Sequence, residues 1–102
     1  MYFRRQPTTP GEILQQEYMQ PMALTQKQLA DHIGCDIKVI NRIINNKVSL
    51  STEVAFKLAA AFNTSPDFWL NAQQACEIYA MQKKLRKLPR RIKRIAKYQQ
   101  AA

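Results

Sequence analysis

Lys38, Asn41 and Arg42 stand three and four residues apart, so on a helix they share one face. Their chemistry suits the edges of DNA bases. A guanidinium fork matches guanine O6 and N7, a carboxamide matches adenine N6 and N7, and an ammonium can serve guanine or phosphate. Ile37, one residue earlier, offers an apolar contact for a thymine methyl. A helix that is merely solvated tends to pair glutamate with lysine, yet no acid occurs between Asp36 and Asn46. Gln26 and Lys27 open the preceding helix, where backbone amides also point at anions, and are expected to bond phosphate. Asn45 and Lys47, at the far end of the reading helix, are expected to do the same.

These side chains need two short helices joined by a tight turn, and the stretch from Gln26 to Asn45 meets the steric demands of that unit. Its fifth residue must be small where the helices cross, and is Ala30. Its ninth lies in the turn, where positive φ favours glycine, and is Gly34. Its fifteenth and eighteenth, which anchor the second helix from beneath, are Ile40 and Ile43. Leu29 and Ile33 complete the underside. Thr25 and Gln28 form a capping-box pattern for the first of these helices, and Asp36 is placed to cap the second, expected from Ile37 to about Asn45. Asn46 then tolerates the left-handed C′ conformation.

The flanking sequence predicts three more helices and no strand, so the fold class is all-α. Thr9-Pro10-Gly11-Glu12 supplies an N-cap, a first-turn proline and a capping glutamate for a helix running to about Met19, with Ile13, Leu14 and Tyr18 inward and Pro21 as its stop. Ser51-Thr52-Glu53 opens a fourth helix with Ala55, Leu58, Ala59 and Phe62 as its apolar stripe. Ser65-Pro66-Asp67 opens a fifth that can run past Lys84 until Pro89. A single unit of this kind covers only a few base pairs, which predicts a two-fold dimer on a palindromic site. The fifth helix is the expected dimerising element, with Phe68 and Trp69 at the interface or, alternatively, in the core.

At 102 residues with 46% hydrophobic composition the chain suits one helical domain with a modest core. The formal charge of +9 is unevenly spread. Residues 1 to 82 are balanced, and the excess lies wholly in the acid-free run from Lys83 to Lys97. The expected organisation is a domain over residues 1–82 and a basic extension over 83–102, where Ile92, Ile95 and Tyr98 can line an amphipathic helix. That extension suits nonspecific DNA or RNA contact, or is simply a solvated end. No apolar run approaches the ~20 residues of a membrane span, and Met1-Tyr2-Phe3-Arg4-Arg5 begins no signal peptide, which predicts a cytoplasmic protein. Cys35 and Cys76 have no zinc-ligand partners, and His32 has no Ser or Cys in a catalytic motif. With no paired carboxylates or phosphate-cradling glycine loop either, no catalytic residue, metal or cofactor is expected.

Three segments together resemble the HigA antitoxin family, also called VapI-like: Thr8-Thr9-Pro10-Gly11-Glu12-Ile13-Leu14, the stretch Thr25 to Lys47, and Asn63-Thr64-Ser65-Pro66-Asp67-Phe68-Trp69-Leu70-Asn71. The resemblance spans roughly residues 7 to 80. It implies a five-helix, lambda-repressor-like fold and a dimeric Xre-type regulator. It further implies a protein that represses its own operon and neutralises a HigB-like mRNA endonuclease toxin. Carried over by position, the family's recognition contacts fall on Asp36, Lys38, Asn41 and Arg42. Asp36 replaces the usual small residue, and near DNA its carboxylate is tolerated only where it accepts from a cytosine amine. Asn46 replaces the usual glycine. The basic run is a further departure, because HigA-like chains commonly end soon after the fifth helix or continue in mixed-charge sequence. HigB-like toxins are usually basic and would repel it, which argues against toxin contact through residues 83 to 97. A stand-alone repressor of phage or plasmid type, and an RNA-binding adaptor that uses the basic tail, are the competing readings.

Overall fold

The computed structural model describes residues 4–86, 92, 93 and 95. Among these the chain forms five helices in sequence and no strand. Helix α1 is α-helical over Pro10–Glu12 and π-helical over Ile13–Met19, and it is followed by α2 (Gln26–Ile33), α3 (Ile37–Ile44), α4 (Thr52–Phe62) and α5 (Pro66–Arg86). Helix α5 passes residue 82 without a break. The amphipathic segment expected after Pro89 lies largely outside the described residues.

Each helix start follows the local chemistry of its cap. Thr9 and Glu12 form a reciprocal capping box, as do Thr25 and Gln28. The Asp36 carboxylate accepts the Lys38 amide at 2.8 Å, and the Ser51 and Ser65 hydroxyls accept from Val54 and Phe68. Ends are set by left-handed residues. Gly34 has φ 73°, and beyond it the Cys35 amide returns to the Ala30 carbonyl at 3.0 Å. At the end of α3, Asn46 takes φ 57°, its amide bonds Ile43 O, and the Lys47 amide bonds Arg42 O at 2.9 Å, a Schellman closure.

The first helix departs from expectation. Its amides bond five residues back rather than four, as in Gln20 N–H to Gln15 O at 2.9 Å. A π turn takes more residues per revolution, so the inward position one turn after Leu14 falls on Met19, which is buried, while Tyr18 is half-buried at the edge. Tyr18 there meets the aromatic rings of Phe62 and Trp69 at centroid distances of 4.8 and 5.4 Å.

The core lies between all five helices, with Leu14, Leu29, Ile40, Leu58 and Trp69 the largest fully buried side chains. This corrects the expectation that Trp69 lines a dimer interface. The indole has no exposed surface, and its Nε1–H donates to Thr64 Oγ1 at 2.8 Å, so its polar handle is satisfied inside the chain. Phe68 differs. It packs edge-on against Trp69 at 5.2 Å but keeps 40% of its surface exposed.

Candidate nucleic-acid interface

Helix α3 divides cleanly into two faces. Ile40, Ile43 and Ile44 are buried against the other helices, while Lys38, Asn41 and Arg42 are exposed and Ile37 is 44% exposed. A shallow hollow of about 300 Å³ is lined by Gln26, Ile37, Lys38, Asn41 and Arg42. Residues from two helices thus converge on one surface, because Ala30, which is almost wholly buried, lets α2 and α3 approach closely beneath it.

The polar side chains of this surface are partly locked together. Asn41 Nδ2 donates to Gln26 Oε1 at 3.2 Å, and Asn45 Nδ2 donates to the Asn41 carbonyl at 2.9 Å and to its Oδ1 at 3.3 Å. Asn41 keeps one N–H and one lone pair of Oδ1 for an adenine edge, and Gln26 keeps its whole amide NH₂ for a phosphate. The bond to Gln26 fixes the Asn41 rotamer before any base arrives, which lowers the entropy cost of binding. Asp36 spends one carboxylate oxygen as the cap of α3. Lys27 is held by Asp31 at 3.2 Å in an exposed i,i+4 pair, a weak bond that a phosphate can replace. Lys47 is exposed in the loop after α3, and no ion pair holds it among the described residues.

Two supports of this surface carry no clear signal in the sequence. Lys57 of α4 reaches across to the Gly34 carbonyl at 3.2 Å while also pairing with Glu53, and so braces the turn between α2 and α3. Gly11 of α1 sits against the last turn of α3. A Cβ there would collide with Ile43 O and lie 2.9 Å from Ile44 O and 3.0 Å from Asn46 Oδ1. The PGE segment marks a helix start in the sequence, but the partner of its glycine is more than thirty residues away.

Neither cysteine is chemically activated. Burial raises the pKa of Cys35, with Lys57 opposing and Asp36 adding to the rise. Burial again raises that of Cys76, together with Glu12 and Glu77. Both therefore stay thiols at neutral pH. No group of three or more His, Cys, Asp and Glu suited to a metal occurs among the described residues. Nor is any described helix long and apolar enough to cross a membrane.

A short helix, a glycine turn and a second helix that is anchored by isoleucines and studded outward with base-matching side chains define the helix-turn-helix class. The helix-turn-helix family profile matches residues 16–69. The HTH-type transcriptional regulator YbaQ of Escherichia coli K12 is 40% identical over 96 residues, which covers 92% of this chain and 85% of that protein. Antitoxin HigA-1 of Vibrio cholerae is 41% identical over 76 residues, covering 74% of this chain and 71% of its own length. In three dimensions the fold resembles Pseudomonas aeruginosa antitoxin HigA, solved with the higBA promoter, at a TM-score of 0.74 and 27% identity over 84% of this chain and 97% of the other. The chain belongs to the Xre-type helix-turn-helix family that includes the HigA antitoxins.

Proposed function

We propose that this protein is a DNA-binding antitoxin that represses its own operon and neutralises a HigB-like mRNA endonuclease. The observation that carries DNA binding is the gathering of Gln26, Ile37, Lys38, Asn41 and Arg42 into one hollow on the outward face of α3. Asp36, at the head of the same helix, is the remaining base-reading candidate, limited to a cytosine amine. Lys27 and Lys47 join Gln26 in bonding phosphate, and Asn45 does so by giving up its longer bond to Asn41 Oδ1. The antitoxin part is supported by the relatives, one named HigA-1 and another solved with a promoter. Replacing Arg42 with alanine is expected to cost ~1–3 kcal/mol of discrimination between operator variants. Lys47→Ala should weaken all sequences alike and lower the salt dependence by about one phosphate's worth for each bound protomer. Fluorescence anisotropy against matched operator variants separates the two. An Arg42→Ala protein with unchanged preferences would remove α3 from the reading role.

A homodimer on a palindromic site fits this reading, and α5 supplies a surface for it. At about 100° per residue, Asp67, Asn71 and Gln74 lie on the side opposite Trp69, and the same stripe continues as Ile78, Met81 and Leu85. Those three are 40%, 49% and 51% exposed, an apolar patch on the second half of the helix. With Trp69 in the core, this stripe, together with the exposed part of Phe68, is the proposed meeting surface between copies.

A stand-alone repressor is the second reading, favoured by a relative matched over 92% of this chain that is named only as a transcriptional regulator. Expressing whatever small open reading frame adjoins this gene, with and without this chain, decides between them. Growth arrest relieved by this chain supports the antitoxin. The absence of any toxic neighbour, with operator footprinting intact, supports the repressor. No protected site near the gene overturns both.

A further inference from the structure

Beside the reading helix a second hollow brings the segment ahead of α1 up to the loop that carries Lys47. A hollow of about 270 Å³ is lined by Gln6, Thr9 and Pro10 on one side and by Asn46, Lys47, Val48 and Ser49 on the other, with Gln73 and Cys76 as its floor. The arm is pinned there. The Cys76 thiol lies 3.7 Å from the Pro7 carbonyl and 3.8 Å from that of Thr8, within hydrogen-bonding reach for sulfur. A few residues further on, Gly11 presses against the Ile43 and Ile44 carbonyls. The arm, the end of α3 and the loop after it therefore form one body.

Gln6 leads directly to Arg5 and Arg4, each Cα roughly 3.8 Å from the next, and both side chains are exposed with no carboxylate partner among the described residues. The two acids that act on Cys76 are already engaged. Glu12 accepts from the Thr9 amide and hydroxyl, and Glu77 accepts from Gln73. The domain up to residue 82 has no net charge, so two adjacent arginines one and two residues ahead of Gln6, which shares a hollow with Lys47, are a local concentration of charge rather than a consequence of general basicity. Guanidinium groups suit phosphate because their fork bonds two oxygens at once.

We infer that Arg4 and Arg5 bind the phosphate backbone next to the site of Lys47, extending the protein's grip one or two nucleotides past the bases that α3 reads. This inference rests on the DNA-binding function proposed above. The arm would act on every sequence equally, and its removal would show in salt dependence more than in base preference.

The test uses the full chain and duplexes tiling the promoter of its own gene, with a random-sequence duplex of equal length as control. Binding is measured by anisotropy as salt is raised. R4A/R5A is expected to make the slope of log K against log[salt] shallower by about 1.8 for each bound protomer, about 3.6 for a dimer, at about 0.9 for each phosphate that is no longer neutralised. The ratio of promoter to random binding should stay within about twofold of wild type, as expected for groups that touch no base edge. R4K/R5K, which keeps the charges, should restore most of the slope. An R4A/R5A slope equal to wild type overturns the inference, and so does a promoter-to-random ratio that collapses, because the arm would then be reading bases. Failure of R4K/R5K to restore the slope also overturns it. A wild-type chain that does not distinguish promoter from random duplex removes the proposed function itself, and this inference with it.

Discussion

Trp69→Ala should lower the free energy of unfolding by about 3–5 kcal/mol, the range seen when a large aromatic is removed from a packed core. The indole is wholly buried, touches the rings of Tyr18, Phe62 and Phe68, and satisfies its N–H on Thr64. Its removal leaves a cavity between α1, α4 and α5. Domains of this size have about 5–15 kcal/mol in total, so urea melts should show a large part of the stability gone. Trp69→Phe keeps most of the volume and removes only the indole N–H and one ring, so its cost should be clearly smaller. The experiment also decides the residue's role. If Trp69 served the dimer interface, the alanine variant would dissociate more readily while each monomer kept its stability, and sedimentation with melts at two protein concentrations would show it. That outcome would sink the core assignment.

Gly11→Ala should cost about 1–3 kcal/mol through overpacking and should reduce operator preference as well. The added methyl meets backbone oxygens of Ile43 and Ile44, which cannot swing aside as a long side chain would. Helix α1 must lift from α3 or α3 must shift, and either movement displaces the surface that carries Lys38, Asn41 and Arg42. Gly34→Ala is the useful contrast. Nothing lies within 4 Å of a Cβ there, but φ is 73°, so its cost is confined to the left-handed backbone, roughly 1–2 kcal/mol. Melts and promoter binding of the two variants should therefore diverge. Both lose stability, and only Gly11→Ala should lose the ratio of promoter to random binding. Equal effects on that ratio would show that the packing of α1 on α3 does not position the reading face.

The two glycines mark where sequence reasoning stops. Gly34 is legible because its reason is local: a short helix must close, and glycine adopts positive φ without strain. The caps at Thr9, Thr25, Asp36 and Ser51 are legible on the same ground, since each side chain bonds an amide two or three residues away. So is the division of α3 into an isoleucine face and a polar face, which follows from the helical period alone. The π-helical turn of α1 is not legible. A capped apolar repeat reads as α-helix, and the insertion that brings Met19 inward shows only in the bonding of Gln20 to Gln15.

By itself the sequence determined the five helices, the turn, the outward chemistry of α3 and the resemblance to HigA-type regulators, because these rest on bonds within a few residues or on motif identity. Tertiary structure alone decided that Trp69 is core while Ile78, Met81 and Leu85 are the apolar surface of α5. It also decided that Gly11 seats the reading helix, that Gln26 holds Asn41, and that the arm carrying Arg4 and Arg5 runs up to Lys47. Each of those joins residues distant in the chain, and neither local propensity nor apolar periodicity specifies which distant surfaces a helix face will meet.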